Sequence, residues 1–170
     1  MLDILRPDMM VNAVWDIDPA ELRKRGIEGV ILDLDNTIVD WNRNEVREEV
    51  RRWVGRAKAA GLRLCIASNA RSRSRVAGIA DKIGCTWLAP AGKPSRRGLR
   101  KVMDMMGTRR ETTALAGDQI FTDVAGGNRA GLFTVLVRPL SGRDFAGTRI
   151  MRVFEWFVLR WLRARNQGAS

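Results

Sequence analysis

Residues 33–37, Asp33-Leu34-Asp35-Asn36-Thr37, place two carboxylates two residues apart, directly behind the apolar run Gly29-Val30-Ile31-Leu32. An apolar run of this kind reads as a buried parallel strand. Open α/β sheets gather their ligand groups at the carboxyl ends of such strands. Carboxylates are costly to bury unless they are paired or bind a cation. The pair therefore offers a hard-cation ligand, a nucleophile and a proton-transfer group in one small volume. Taken alone, it suits equally well a strand ending in a solvated acidic turn begun by Asn36 and Thr37.

Three more segments end in polar groups of the same kind. Ser68-Asn69 follows an apolar run, Lys93 precedes Pro94, and Gly117-Asp118-Gln119 leads into Thr122-Asp123. Each has a plain structural reading, as a turn, a surface lysine or a helix cap. Carboxylates, a hydroxyl, an amide and an ammonium meeting on one sheet edge are harder to explain by stability, and together they point to chemistry.

The elements that must position these groups alternate along the chain. Strands are expected at 28–34, 62–67, 85–88, 112–116 and 132–137. Helices are expected at 19–25, with Asp18 as cap and Pro19 at the first position, and at 45–60, with Asn44 as cap. Further helices are expected at 72–83, 94–106, 120–130 and 148–165, with Gly61, Gly84, Gly107 and Gly131 as stops for four of the six. Repeated strand–helix units predict a Rossmann-like, three-layer α/β/α sandwich around a parallel five-stranded sheet.

The 170 residues suit a single domain, 1–170, and 45% apolar residues suffice for its core. Cys65 and Cys85 make no disulfide framework and fit a reducing cytoplasm. There is no histidine, which excludes His-based nucleophile activation and His metal ligands. The start Met1-Leu2-Asp3-Ile4 has no signal-peptide pattern, and no uncharged apolar stretch reaches the roughly 18 residues of a membrane span. The net charge of +11 is uneven: +2 over residues 1–90 and +9 over residues 91–170. The second half therefore faces an anion, whether a phosphate ester, an anionic lipid headgroup or nucleic acid.

The motifs DLDNT at 33–37, SN at 68–69, KP at 93–94 and GDQIFTD at 117–123 resemble, in order and spacing, the haloacid dehalogenase superfamily of aspartate-nucleophile phosphatases. The flanks RPDMMVNAVWDID and GDQIFTDVAGGNRAGLFTVLV resemble its YqeG-like branch, which is similar to the mitochondrial phosphatidylglycerophosphate phosphatases. The resemblance implies Asp33 as nucleophile and Asp35 as general acid and then base. It implies Mg2+ held by Asp33, the Asp35 carbonyl and Asp118, with Asp123 holding Asp118 or a metal-bound water. Thr37, Ser68, Asn69 and Lys93 would serve the phosphate, Asn69 through its backbone amide or by shaping the turn.

The 31 residues from Thr37 to Ser68 and the 24 from Asn69 to Lys93 leave no room for an inserted cap domain. An uncapped site, with only a short flap near Ile38–Asn42, suits a large or surface-bound substrate. Residues 148–165 place Arg149, Arg152, Arg160 and Arg163 on one helical face and Phe and Trp around the rest. That is the pattern of a helix lying in a membrane interface, or of one packed on its own sheet or a second subunit. The expectation is a cytoplasmic Mg2+-dependent phosphatase, peripheral on the inner face of the membrane, converting phosphatidylglycerophosphate to phosphatidylglycerol. The alternatives are a phosphatase acting on a phosphorylated nucleic acid, nucleotide or protein, and an RNA- or protein-binding module that keeps the fold.

Overall fold

The computed structural model describes residues 2–141; the helix expected at 148–165 lies outside them. Six parallel strands form one sheet: β1 (Met9–Val11), β2 (Gly29–Leu32), β3 (Arg63–Ala67), β4 (Thr86–Leu88), β5 (Thr113–Gly117) and β6 (Phe133–Val137), in the order β1-β6-β5-β2-β3-β4. The helices are α1 (Pro19–Lys24), α2 (Glu48–Ala59), α3 (Arg73–Ile83), α4 (Arg96–Met106) and α5 (Ala125–Ala130).

The strand pleat sorts the core. Val30 and Leu32 of β2 face a cluster built with Leu22, Trp53, Val76 and Ile79 of α1, α2 and α3. Ile31, between them, faces Leu99, Val102 and Met103 of α4. Helices therefore cover both faces, which is why β2 is buried along its whole length. Trp53 is fully buried and satisfies its indole by donating from Nε1 to the Ile17 carbonyl at 2.8 Å.

The chain steps from β2 outward to β3 and β4, then crosses under α4 to β5 and β6 on the other side of β2. The reversal lies between β2 and β5, the switch point where such sheets open a crevice.

The sixth strand was not expected. Met9–Val11 is three residues long and half-exposed, so it has neither a long apolar run nor clean alternation. It forms because β6 offers a free edge, in the register Met9↔Val135, and because Asp8 clasps Thr134: its Oδ2 accepts from Thr134 N at 2.7 Å and from Thr134 Oγ1 at 2.9 Å.

Helix α2 also starts later than expected, at Glu48 rather than 45, and Asn44 is not its cap. Val46 instead bridges back to Val39, and Asp40 pairs with Arg47 at 2.8 Å. The flap therefore runs from Ile38 to Val46, longer than the Ile38–Asn42 expected, with Trp41 half-buried on it. The helix expected over 120–130 splits into a wide π turn, Ile120–Val124, and the short α5. The helix expected from Pro94 begins at Arg96, with Ser95 accepting from Arg97 N.

Candidate active site

Four strand ends deliver the groups to one edge. Asp33 is the first residue past β2, and its N–H still donates to the Ala116 carbonyl of β5 at 2.9 Å. Asp118 is the first residue past β5, Ser68 the first past β3, and Lys93 lies in the connection from β4 to α4. Among the described residues, Asp33, Asp118 and Asp123 are all buried, with carboxylate oxygens within 4.8 Å of one another.

The Lys93 ammonium sits at the centre of this group. Its Nζ lies 2.5 Å from Asp33 Oδ1 and 2.7 Å from Asp123 Oδ1, with only 1% of its side chain exposed. Burial alone would discharge it, but the Asp123 and Asp33 carboxylates more than offset that and hold it above the ordinary lysine range. Asp33 moves the other way from an exposed aspartate. Burial, helped by the charges of Asp123 and Asp35 and opposed by Lys93, pushes its carboxyl up to about 7.

Local structure explains how the remaining groups are held. Asn36 takes a left-handed φ of 62°, which turns the chain sharply after Asp35. Its carbonyl accepts from Leu140 N at 3.0 Å, and its Oδ1 accepts from Ser141 Oγ at 2.6 Å. Thr37 is fully buried, and its Oγ1 has no hydrogen-bond partner among the described residues. Ser68 Oγ accepts from Ala70 N at 3.0 Å, which leaves its proton for another acceptor. Gly117 must be glycine: a Cβ there would fall 2.3 Å from Asp123 Cγ. The π turn brings Asp123 inward, where its Oδ2 accepts from Gln119 N at 3.1 Å.

Asn69 shapes the loop that carries Lys93. Its side chain is exposed at the edge and clamps the Lys93 main chain at two points: Nδ2 donates to Lys93 O at 2.8 Å, and Oδ1 accepts from Lys93 N at 2.9 Å.

Asp35 is half-exposed and sits at the rim. Its carboxylate accepts from Asn42 N at 3.0 Å and takes a two-pronged contact from Arg75, at 2.7 and 3.0 Å. Sequence reasoning missed Arg75. In the segment Arg71-Ser72-Arg73-Ser74-Arg75 it looks like one cation of a solvated helix face. Only the packing of α3 beside the flap brings it to Asp35.

Three buried carboxylates form an all-oxygen donor set, the kind a hard divalent cation takes, and Mg2+ fits it. The buried Thr37 hydroxyl and the spare Ser68 proton suit an oxyanion held beside that cation. Fold and edge chemistry together fit a hydrolase acting on a phosphate ester. The haloacid dehalogenase-like hydrolase profile matches residues 9–131, and the chain belongs to that family.

Its relatives carry phosphatase names. It is 34% identical over 160 residues to "Probable phosphatase YqeG" of Bacillus subtilis, covering 94% of this chain and 92% of that one. It is 28% identical over 165 residues to "Phosphatidylglycerophosphate phosphatase 1, chloroplastic" of Chlamydomonas reinhardtii, covering 91% of this chain but 61% of that longer protein. In fold it matches the cobalt-bound deoxy-D-mannose-octulosonate 8-phosphate phosphatase of Haemophilus influenzae with a TM-score of 0.53, 18% identity, and 66% and 69% of the two chains covered. The chain is thus a phosphatase of the haloacid dehalogenase type. No described helix is long and apolar enough to cross a membrane.

Proposed function

We propose that the chain is a Mg2+-dependent phosphatase that hydrolyses phosphatidylglycerophosphate to phosphatidylglycerol at an anionic membrane surface, through a phosphorylated Asp33. The observation that carries the chemistry is the buried Asp33, tied at 2.5 Å to Lys93 within the carboxylate cluster at the switch point.

Asp33 attacks phosphorus, forming a carboxyl oxygen–phosphorus bond as the bond to the leaving alcohol breaks. Asp35 gives that alcohol oxygen its proton. Asp35, now a carboxylate, takes a proton from water, which attacks the phosphorus and returns Asp33 free with release of phosphate. Lys93, Ser68 and Thr37 hold the phosphoryl oxygens as charge shifts onto them. Asn69 fixes Lys93 at its main chain. The Asp33 and Asp118 carboxylates and the Asp35 carbonyl would hold Mg2+, with Asp123 beside them. Bound there, the cation neutralises the crowded acids and keeps Asp33 ionised.

Three points support the lipid substrate. A relative covering nearly all of this chain is named for that reaction. The flap, Ile38 to Val46, is too short to enclose a small substrate. The sequence at 148–165 is basic and aromatic, the composition of a segment that binds an anionic membrane surface.

A second reading, a phosphatase acting on a phosphorylated nucleic-acid end, draws on a different surface. Arg96, Arg100, Arg109, Arg110 and Arg129 line an open groove of about 510 Å³ along α4 and α5, with Asp104 as its acid.

Phosphate release decides between them, measured with Mg2+ from phosphatidylglycerophosphate in mixed micelles, from soluble esters and from 5′- or 3′-phosphorylated oligonucleotides. The lipid should be preferred, and chelation should abolish turnover. Preference for oligonucleotides would replace the lipid reading, and full activity of Asp33→Asn would overturn the mechanism.

A further inference from the structure

Arg75, in the first turn of α3, is the most heavily engaged side chain at the rim. Nη1 donates to Asp35 Oδ2 at 3.0 Å, and Nη2 donates to Asp35 Oδ1 and to the Arg43 carbonyl, both at 2.7 Å. Nε donates to Asn44 Oδ1 at 3.1 Å. With Asn42 N also on Oδ1, three N–H donors hold the Asp35 carboxylate, two on Oδ1 and one on Oδ2. A carboxylate gripped by a charged fork is held in place at the rim. The proposed acid is therefore latched, and turnover needs the latch to open.

The means of opening it lies in the guanidinium itself. A planar fork binds one oxyanion much as it binds another, so exchanging Asp35 for a phosphodiester or carboxylate keeps two charged hydrogen bonds. The contacts to Arg43 and Asn44 stay behind to aim the fork. The pair is reachable, with 14% of the Arg75 side chain and 25% of the Asp35 side chain exposed. A leaving oxygen within reach of Asp35 stands about 6 Å from the fork, two hydrogen-bond lengths. A three-carbon alcohol spans that distance to an anion at its far end.

We propose that Arg75 is the receptor for a second anionic group carried on the alcohol side of the substrate, and that engaging this group releases Asp35 for proton transfer. The proposal rests on the phosphatase mechanism above and deepens it: the substrate class is a phosphate monoester whose alcohol bears a further anion. Esters lacking that anion leave Asp35 latched and turn over slowly.

The test uses the full chain with Mg2+ and three water-soluble esters: glycerol 3-phosphate with no second anion, 3-phosphoglycerate with a carboxylate, and the deacylated headgroup glycerophosphoglycerol phosphate with a phosphodiester. Wild type should favour a second-anion ester over glycerol 3-phosphate by about tenfold or more in kcat/KM, a difference of about 1.4 kcal/mol. Arg75→Gln should bring that ratio toward one, with KM for the favoured ester rising, and Arg75→Lys should fall between. Glycerophosphoglycerol, the diester alone, should inhibit wild type competitively, whereas glycerol should not. No preference in wild type, a ratio unchanged in both variants, or no inhibition by the diester would each overturn the proposal. A preference for 3-phosphoglycerate over the headgroup would leave Arg75 in its role and remove the lipid substrate.

Discussion

Two acid–cation pairs a few residues apart behave as opposites. Lys93 is sealed between Asp33 and Asp123, with 1% of its side chain exposed. Arg75 grips Asp35 at the rim, where 14% and 25% of the two side chains remain open. In a dry interior the attraction is strong but the desolvation cost is large, so such a pair stays only while it is complete. At the rim, water screens the charges and other oxyanions compete. The inner pair is therefore a fixed electrostatic frame, and the outer pair is an exchangeable contact. A site that must grip phosphate the same way each turn, yet hand a proton back and forth, needs one of each.

The sharpest contrast is catalytic. Asp33→Asn should lower kcat by about 10⁴-fold or more on every ester, since the proposed mechanism forms the bond to phosphorus through that carboxylate. The fold should survive, because Asp123 still pairs with Lys93 and an amide of the same size takes the place of the carboxyl; circular dichroism would check this.

Lys93→Met probes the frame. It leaves Asp33 and Asp123 buried without their cation and should cost about 3–5 kcal/mol in denaturant unfolding, together with activity. A loss below about 1 kcal/mol would erase the distinction between the pairs.

Asp35→Asn should slow alkyl phosphates by about 10²–10⁴-fold. It should slow p-nitrophenyl phosphate far less, because that leaving group departs without a proton. An equal loss on both would place Asp35 in binding rather than proton transfer.

The inner pair should also make stability depend on pH and metal. In the metal-free fold Asp33 titrates at about 7, against 3.8 in a model peptide. Between those values the folded chain keeps a proton that the unfolded chain has lost. The Asp33 contribution to stability in chelator should thus be full below about 3.8 and fall away as pH rises to about 7. Mg2+ should restore it at pH 7, and Asp33→Asn should flatten the profile. Thermal melts across this range give the answer.

The smallest effect belongs to the flap. Arg47→Ala removes an exposed pair with Asp40 and should cost under about 1 kcal/mol.

The groups that were legible in the sequence are those whose signal is local. Asp33, Ser68 and Asp118 each follow an apolar run at once, so strand and residue announce each other. Lys93 shows itself through the proline behind it. What stayed hidden is set by distant partners. The strand at Met9–Val11 exists through β6, the Asn69 side chain finds the Lys93 main chain across the sheet edge, and Arg75 acquires meaning only once α3 lies beside the flap. Asn44 looked like a helix cap because its type suits one, but Arg75 takes its oxygen.

The wide turn at Ile120–Val124 carries a last consequence. Its closing bond runs from Ala125 N to Ile120 O, five residues back instead of four. The turn thus holds one residue more than an ordinary helix needs, and that surplus sets the phase of all that follows. Removing a single residue there would restore regular winding and swing Asp123 about 100° around the axis relative to α5. Every acid and cation of the site would still be present in the chain, yet Lys93 would face one carboxylate instead of two. Segment length, as much as residue identity, encodes this centre.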